Sequence, residues 1–367
     1  MLGRRFSEVL DITNAGSQLA TGNKVQIRIP RRSNLRLETI LLHANVTVTA
    51  TTKTAARNSL DGLFDEVRLK VSDYAGAGRY VVKAPSAAIL NWAKDRVGRL
   101  DRFTQKAVGV SDGSTWPVTG TYDIIIPIHL FPQNINSVMA NRFSIPMSDR
   151  IGDKMDVKGI DDDLILELDV HSAITNIGLS AGSCVFNYCK AQLNMREMAP
   201  NVPYVAQQLD YGLITAFTST AETPIDIASG GFLLALGIDE FTSATARGDA
   251  LDTTAASLGF WKLKYGRTDL QTWLSKQMLA WNEGYIQSYP DGTTGFTVDR
   301  NAKTFHVQDL LHDIQQGDAY SGASCLNLYT ENKGDTVKLV ATRPVSGSQI
   351  GLLTWKLFGP IEALNNA

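Results

Sequence analysis

Apolar and polar residues alternate one by one along most of the chain, and this alternation limits the fold more than any other feature of the sequence. Val25, Ile27 and Ile29 alternate with polar neighbours, and the runs 163–170 and 335–342 repeat the pattern. Successive side chains of a β-strand point to opposite faces, so a period of two predicts strands with one buried face. Long helical patterns are scarce. We therefore expect an all-β protein with a few helices.

The alternating runs are arranged twice in the same way. The strand EVRLKV at 66–71 matches FWKLKY at 260–265, with residue 67 corresponding to residue 261, an offset of 194. A Trp-bearing amphipathic helix is expected after each copy, at 86–97 and at 270–284. Six apolar residues of the matched strands are expected to face a core: Val67, Leu69, Val71, Trp261, Leu263 and Tyr265.

The length of 367 residues favours two domains rather than one core. Pro200 and Pro203 interrupt strand and helix patterns between the two copies. We predict domains at 15–199 and 204–360, each an eight-stranded jelly-roll sandwich with a short helix. Residues 1–14 are predicted to form a separate, short N-terminal amphipathic helix.

Composition argues against several classes of function. The formal net charge is -2, and no basic stripe interleaved with aromatic residues is present, so sequence-specific binding of nucleic acid is not expected. No phosphate-binding loop or dinucleotide fingerprint occurs, and we predict no cofactor. Three cysteines are too few for a disulfide framework, and the first residues lack a secretory signal. Synthesis in the cytoplasm is therefore expected.

Two groups of residues could suggest catalysis or metal binding, but their settings argue against it. Ser180 lies in GLSAG, which matches a nucleophile elbow, yet the following residues read as a strand where that motif needs a helix. We expect Ser180 in a turn before that strand. His306 and His312, with two nearby aspartates, do not have a zinc-ligand spacing. No catalytic residue, no metal and no enzymatic activity are predicted.

One acidic cluster is a weak candidate for a cation-binding site. Calcium is bound by several carboxylates on a flexible loop, but no EF-hand spacing is present, and a solvated loop explains the charges equally. The cluster consists of Asp153, Asp156, Asp161, Asp162 and Asp163.

The N-terminal segment carries apolar residues on one face of the predicted helix, with two arginines beside them. Contact with an anionic lipid surface, docking onto a neighbouring subunit and a frayed end are all compatible with this pattern. The residues concerned are Leu2, Arg4, Arg5, Phe6, Val9 and Leu10.

Aromatic residues in long loops are candidates for subunit contact, because aromatic residues are enriched in interface cores. Equally, each aromatic residue could pack its loop against the sandwich of its own chain. The candidates are Trp116, Phe143, Tyr285 and Tyr289.

Three segments together resemble the double jelly-roll major capsid proteins of tailless icosahedral phages with an internal membrane (tectiviruses and corticoviruses) and of adenoviruses. They are the amphipathic N-terminus, the strand run LRLETILLHANVTVTA at 35–50, and FDEVRLKVSDYAGAGRYVVKAPSAAILNWAK at 64–94. The resemblance rests on layout over nearly the whole chain and not on a diagnostic motif. It implies a homotrimer of six sandwiches, a pseudo-hexagonal block that tiles the shell of a virion.

The same resemblance implies partners beyond further copies of the chain, namely other capsid proteins at the vertices and an inner lipid membrane. Two other classes of function remain open for a jelly-roll chain. One is a carbohydrate-binding or glycan-cleaving protein, and the other is a receptor-binding spike of a virion.

Overall fold

The structure is a computed structural model. It describes residues 4–12, 19–30, 32, 35–53, 60–72, 78–90, 119–130, 144–147, 164–177, 179–197, 206–214, 221–227, 229–243, 246–247, 260–274, 289–291, 295–297, 305–309, 326–328, 336–341 and 349–358. The chain divides into two compact units, of which unit 1 contains residues 1–210 and 359–367 and unit 2 contains residues 211–358. The predicted domain bounds, 15–199 and 204–360, stay a prediction.

Unit 1 is built from nine strands among its described residues, with two 3-10 turns at Leu60–Gly62 and Ile174–Ile177. A helix, α1, begins at residue 86 and is described to residue 90. The strands are β1 (Arg5–Asp11), β2 (Lys24–Ile29), β3 (Leu35–Lys53), β4 (Phe64–Ser72), β5 (Gly78–Ala84), β6 (Gly120–His129), β7 (Ile145–Pro146), β8 (Leu164–Val170) and β9 (Leu179–Glu197).

These strands form two layers. One layer has the order β1-β9-β3-β6, with β7 paired to β3, and the other has the order β2-β8-β4-β5. Alternate residues of β3, from Ile40 to Val48, are fully buried, as are Val67 and Leu69 of β4. The rings of Phe64 on β4 and Phe186 on β9 lie 5.8 Å apart and join the two layers. The alternation in the sequence thus forms the core of a sandwich.

Unit 2 repeats this arrangement. Its strands are β10 (Ala206–Ile214, which begins in unit 1), β11 (Thr223–Asp226), β12 (Phe232–Ser243), β13 (Ala246–Arg247), β14 (Phe260–Tyr265), β15 (Thr268–Leu274), β16 (Tyr289–Asp291), β17 (Gly295–Thr297), β18 (Phe305–Asp309), β19 (Leu326–Asn327), β20 (Val337–Ala341) and β21 (Gln349–Phe358). One layer contains β10-β21-β12, with β18 paired to β12, and the other has the order β11-β20-β14-β15. A buried cluster that includes Leu236, Leu263, Leu339 and Leu352 forms its core.

Each unit therefore has two layers in which four strands follow a matching order. Strand β1 corresponds to β10, β9 to β21, β3 to β12 and β6 to β18 in one layer. Strand β2 corresponds to β11, β8 to β20, β4 to β14 and β5 to β15 in the other. This is the strand order of a jelly roll, present twice.

The helix predicted for residues 1–14 is wrong in the described part of this segment, because Arg5–Asp11 are strand β1 of unit 1. The strand is paired along its whole length with β9, from Arg5 opposite Arg196 to Asp11 opposite Lys190. If this segment formed an isolated amphipathic helix, the backbone groups along the edge of β9 would lack these hydrogen bonds. Backbone pairing therefore favours a strand. The apolar residues at 6 and 9, which share a helical face, therefore point to opposite faces of the sheet.

Three local predictions near the second copy and Ser180 are also wrong. The helix expected at 270–284 does not start at 270, because Thr268–Leu274 form β15 in a hairpin with β14; residues 275–284 lie outside the described part of the chain. Tyr265 is 42% exposed rather than buried, since β14 ends there in the turn at Gly266. Ser180 lies within β9 and not in a turn.

The first helix does begin at its predicted residue, Ser86.

Candidate assembly surfaces

Strand β1 is one of the two terminal strands of its layer among the described residues. The backbone carbonyl of Arg4 accepts a hydrogen bond from the Glu197 N–H at 2.8 Å, and the Ile12 N–H donates to the Cys189 carbonyl at 2.9 Å. A side-chain hydrogen bond from Arg32 Nε to Glu8 Oε2, at 2.9 Å, fixes the middle of the strand. The segment that the sequence places at a subunit or membrane contact is thus a fixed edge of the sandwich.

The edge strand exposes apolar side chains. Phe6 is 44% exposed and Val9 is 58% exposed, while Ile12 at the end of the strand is 1% exposed. Arg4 and Arg5 are exposed at its start. Of the remaining predicted contact residues, Leu10 is half-buried, and Leu2 lies outside the described residues.

A row of three arginines crosses the layer at the start of β1. Arg5 lies opposite Arg196 of β9, and Arg196 lies opposite Arg36 of β3. Arg36 is 2% exposed and Arg196 is 6% exposed, and the Nε of Arg196 lies 2.5 Å from Glu38 Oε1. The ion pair between Arg196 and Glu38 compensates part of the cost of burying these charges.

The outer face of the same layer carries a polar cluster that the sequence does not single out. Asp123 Oδ1 accepts hydrogen bonds from Asn45 Nδ2 at 2.7 Å and from the Tyr188 hydroxyl at 3.1 Å. His43 Nε2 lies 2.9 Å from the same oxygen. The hydrogen bond from Asn45, assisted by those from His43 and Tyr188, lowers the pKa of Asp123. The only sequence signal for this cluster is polar residues at alternate strand positions, which does not reveal the cross-strand partners.

The other layer of each unit carries ion pairs on its outer face. Arg68 lies 3.1 Å from Glu66 and 3.3 Å from Glu167, and it also pairs with Asp169. Its counterpart at the matched position of unit 2 is Lys262, which lies 2.8 Å from Glu222. Both charged residues alternate with the buried residues of their strands, as the sequence predicts for positions that point outward.

The structure leaves most of the other sequence candidates undecided. The acidic cluster Asp153, Asp156, Asp161, Asp162 and Asp163 and the aromatic residues Trp116, Phe143 and Tyr285 lie outside the described residues. Tyr289 is the first residue of β16 and pairs with Thr297. Within the described part of the chain, no cluster of metal-ligating side chains occurs and no helix is long and apolar enough to cross a membrane.

Solved structures of capsid proteins are similar to this chain over its whole length. The STIV major capsid protein aligns over 100% of both chains with a TM-score of 0.64 and 13% sequence identity. The chain has the double jelly-roll fold. The major capsid protein P2 from bacteriophage PM2 gives a TM-score of 0.53 at 12% identity, covering 97% of this chain and 99% of its own.

The double jelly roll is also shared with the Faustovirus major capsid protein, with a TM-score of 0.54 at 7% identity over 98% of this chain and 91% of the other. No protein-family model and no curated protein matches the sequence. The likeness therefore lies in the fold. It extends over both units, which confirms the fold that the sequence resemblance implies.

Proposed function

We propose that this double jelly roll is a major capsid protein that assembles with further copies of itself into the shell of a virion. The observation that supports the proposal is the alignment of the whole chain, and not of one sandwich, with capsid proteins of three viruses. A single jelly roll occurs in proteins of many functions, whereas a tandem pair aligned from end to end is a narrower likeness. The role is structural and requires no catalytic residue.

The proposed building block is a homotrimer in which six sandwiches form a pseudo-hexagonal unit. Two matching sandwiches per chain support this, because three copies place six similar bodies around one axis and allow closed packing in a shell. Host-cytoplasmic synthesis, a bacterial host, other capsid proteins at the vertices and an inner membrane remain finer predictions. The membrane contact predicted for residues 1–14 loses its main support, since the amphipathic helix is a strand.

Purified full-length protein provides the test. We expect light scattering after size-exclusion chromatography to give the mass of three chains, and electron microscopy to show blocks of hexagonal outline that form sheets or shells. A chain that stays monomeric at all concentrations and forms no lattice would contradict the proposal. Specific binding of a glycan by such a monomer would favour the carbohydrate-binding alternative.

A further inference from the structure

The two outer faces of unit 1 differ in charge. On the layer β2-β8-β4-β5, most outward positions of the central strands are charged, with Glu66, Arg68 and Lys70 on β4 and Glu167 and Asp169 on β8. On the layer β1-β9-β3-β6, the outward positions of β3 between 41 and 49 are a leucine, a histidine, an asparagine and two threonines. We call this part of the second layer, with the neighbouring outward residues of β1, β6 and β9, the β3 face. Charged side chains are typical of a face in water, whereas interface cores are depleted of them.

The polar side chains of the β3 face hold one another in place. Asn187 Nδ2 donates hydrogen bonds to Asn45 Oδ1 at 2.7 Å and to Thr47 Oγ1 at 2.9 Å. Asn45 Nδ2 in turn donates to Asp123 Oδ1 at 2.7 Å, so the network joins β9, β3 and β6. Side chains that are already fixed lose less conformational entropy when a partner covers them. The face is therefore preorganised for a contact.

Apolar side chains are exposed beside this network. Val185 of β9, opposite Thr47, is 57% exposed, and Ile125 of β6, opposite His43, is half-buried. Positions 41–49 of β3 make the face about 30 Å long, and its four strands make it up to about 19 Å wide. Two such faces together bury about 1,200 Å², which reaches the size of a specific protein interface.

Two charges of the β3 face are open to a partner. Lys190 Nζ lies 5.1 Å from the centre of the Tyr188 ring and has no carboxylate partner among the described residues. Asp123 is 36% exposed, and its contacts with Asn45, Tyr188 and His43 all go through Oδ1. The second oxygen, Oδ2, accepts no hydrogen bond from the described part of the chain.

The charge of the face narrows the choice of partner. Its charged residues among those described are Asp11, Asp123 and Lys190. Nucleic acid and anionic lipid bind to a positive surface, which this face does not offer. The proposed capsid role makes a second copy of the chain the partner instead, and one cation beside one carboxylate can be satisfied by an identical face.

The positions of the two charges define how two such faces can meet. Lys190 lies opposite His43, and Asp123 lies opposite Asn45, on the strands to either side of β3. With strands about 4.8 Å apart and about 3.4 Å per residue, the two backbone positions are about 12 Å apart. A two-fold axis that lies in the interface, perpendicular to the line between them, places Lys190 of each copy against Asp123 of the other.

We propose that two copies pack through their β3 faces about this two-fold axis, which joins one trimer to the next. On the same strand spacing, the axis crosses β3 between His43 and Asn45 and passes about 2 Å from Val185 and Ile125. Each of these apolar side chains therefore meets its own equivalent in the neighbouring copy. Three-fold blocks joined by two-fold contacts form a continuous hexagonal layer, so the inference rests on the proposed homotrimer.

Val185→Arg tests the contact, because it brings two positive charges together at the axis. The side chain is exposed, so we expect the variant to remain folded by circular dichroism. Gln26→Arg is the matched control, since it adds the same charge at an exposed position of the other outer face of unit 1. We expect Val185→Arg to give trimers by light scattering that form no sheets or shells in electron microscopy, and Gln26→Arg to assemble like wild type.

A two-fold contact also predicts that one position cross-links to itself. Assembled Val185→Cys protein treated with a short bismaleimide should give covalent dimers of chains, and separate trimers at high dilution should give none. Wild type, with its own three cysteines, measures the background. Gln26→Cys should not exceed that background.

The outcomes separate this contact from the proposed function. Val185→Arg trimers that assemble normally, together with assembled Val185→Cys protein that does not cross-link, overturn the contact and leave the capsid proposal standing. A monomeric Val185→Arg protein would place the face inside the trimer and overturn the two-fold contact. Wild type that is monomeric and forms no lattice overturns both proposals. Trimers that bind a glycan, with binding lost in Val185→Arg while sheets still form, would assign the face to a carbohydrate and overturn its contact with a second copy.

Discussion

Leu69 and Leu263 each stand immediately before a β-bulge at the same place in their hairpins. Leu69 pairs with Val82, and the register then shifts so that Lys70 pairs with Tyr80. Leu263 pairs with Gln271, and the register shifts so that Lys264 pairs with Asp269. A bulge adds one residue to one strand and bends it locally, so its position is a specific feature of a hairpin. Its repetition supports the offset of 194 residues that the sequence predicts.

The first prediction concerns these two leucines. Leu69 is fully buried and Leu263 is 3% exposed, so Leu69→Ala and Leu263→Ala should each reduce the free energy of unfolding by about 2–5 kcal/mol. Lys262→Ala is the control, because its side chain points outward to Glu222, and a surface ion pair contributes little to stability. Urea denaturation of the three variants measures the difference. Equal losses for Leu263→Ala and Lys262→Ala would show that the strand faces are assigned wrongly.

The second prediction is that removing β1 destabilises unit 1, whereas removing a separate N-terminal helix would not. Deleting residues 1–12 removes β1 and exposes the edge of β9, so unit 1 should melt at a lower temperature than in the full chain. Ile12→Ala should cost about 2–4 kcal/mol, since Ile12 is 1% exposed. Arg4→Ala, at an exposed position, should have little effect on the melting temperature. A truncated protein with unchanged melting would mean that β1 is not part of the stable sandwich.

The sequence predicts the strands in the middle of each sandwich better than those at its edges. Val67, Leu69 and Leu263 alternate with charged residues because one face of their strands is buried, and that pattern is visible without a structure. The apolar residues at 6, 9 and 10 fit a helix or an edge strand, and only the long-range pairing with β9 decides between them. The same limit applies to residues 270–274, which the sequence predicts as the start of a helix and which pair instead with β14.

The polar cluster around Asp123 could not be predicted from the sequence, for a related reason. Its members come from three strands, with Asn45 on β3, Asp123 on β6 and Tyr188 on β9. Each residue alone is an ordinary outward-facing polar residue. Only the register that places Asn45 opposite both Asp123 and Tyr188 brings them together.

The third prediction concerns the close approach of the two 3-10 turns of unit 1. A methyl group on Gly62 would collide with the backbone carbonyl oxygen of Asn176, while the Asn176 side chain donates a hydrogen bond to Asp65 at 2.8 Å. A backbone atom held in this way cannot rotate aside, so Gly62→Ala should cost about 1–3 kcal/mol. Gly212→Ala is the matched control, because no atom lies within 4 Å of its added methyl group. Equal melting temperatures for the two variants would contradict the tight contact.

The fourth prediction concerns acid stability and rests on two histidines of unit 1. Burial lowers the pKa of His171 despite the nearby Asp65 carboxylate, and burial lowers the pKa of His129 to about 4. In the unfolded chain both imidazoles would have a pKa of about 6.5. Below that pH the unfolded chain therefore binds protons that the folded chain does not, and the free energy of unfolding falls as the pH falls.

The loss should begin just below about pH 6.5 and continue to about pH 4, with His129 alone contributing about 2 kcal/mol by about pH 5. Urea titrations at about pH 7 and about pH 5 measure it. We expect His129→Gln and His171→Gln each to be less sensitive to this change than wild type, whatever their stability at neutral pH. If both buried-site variants lose as much stability as wild type between these two pH values, protonation of His129 and His171 does not limit the acid stability of the sandwich.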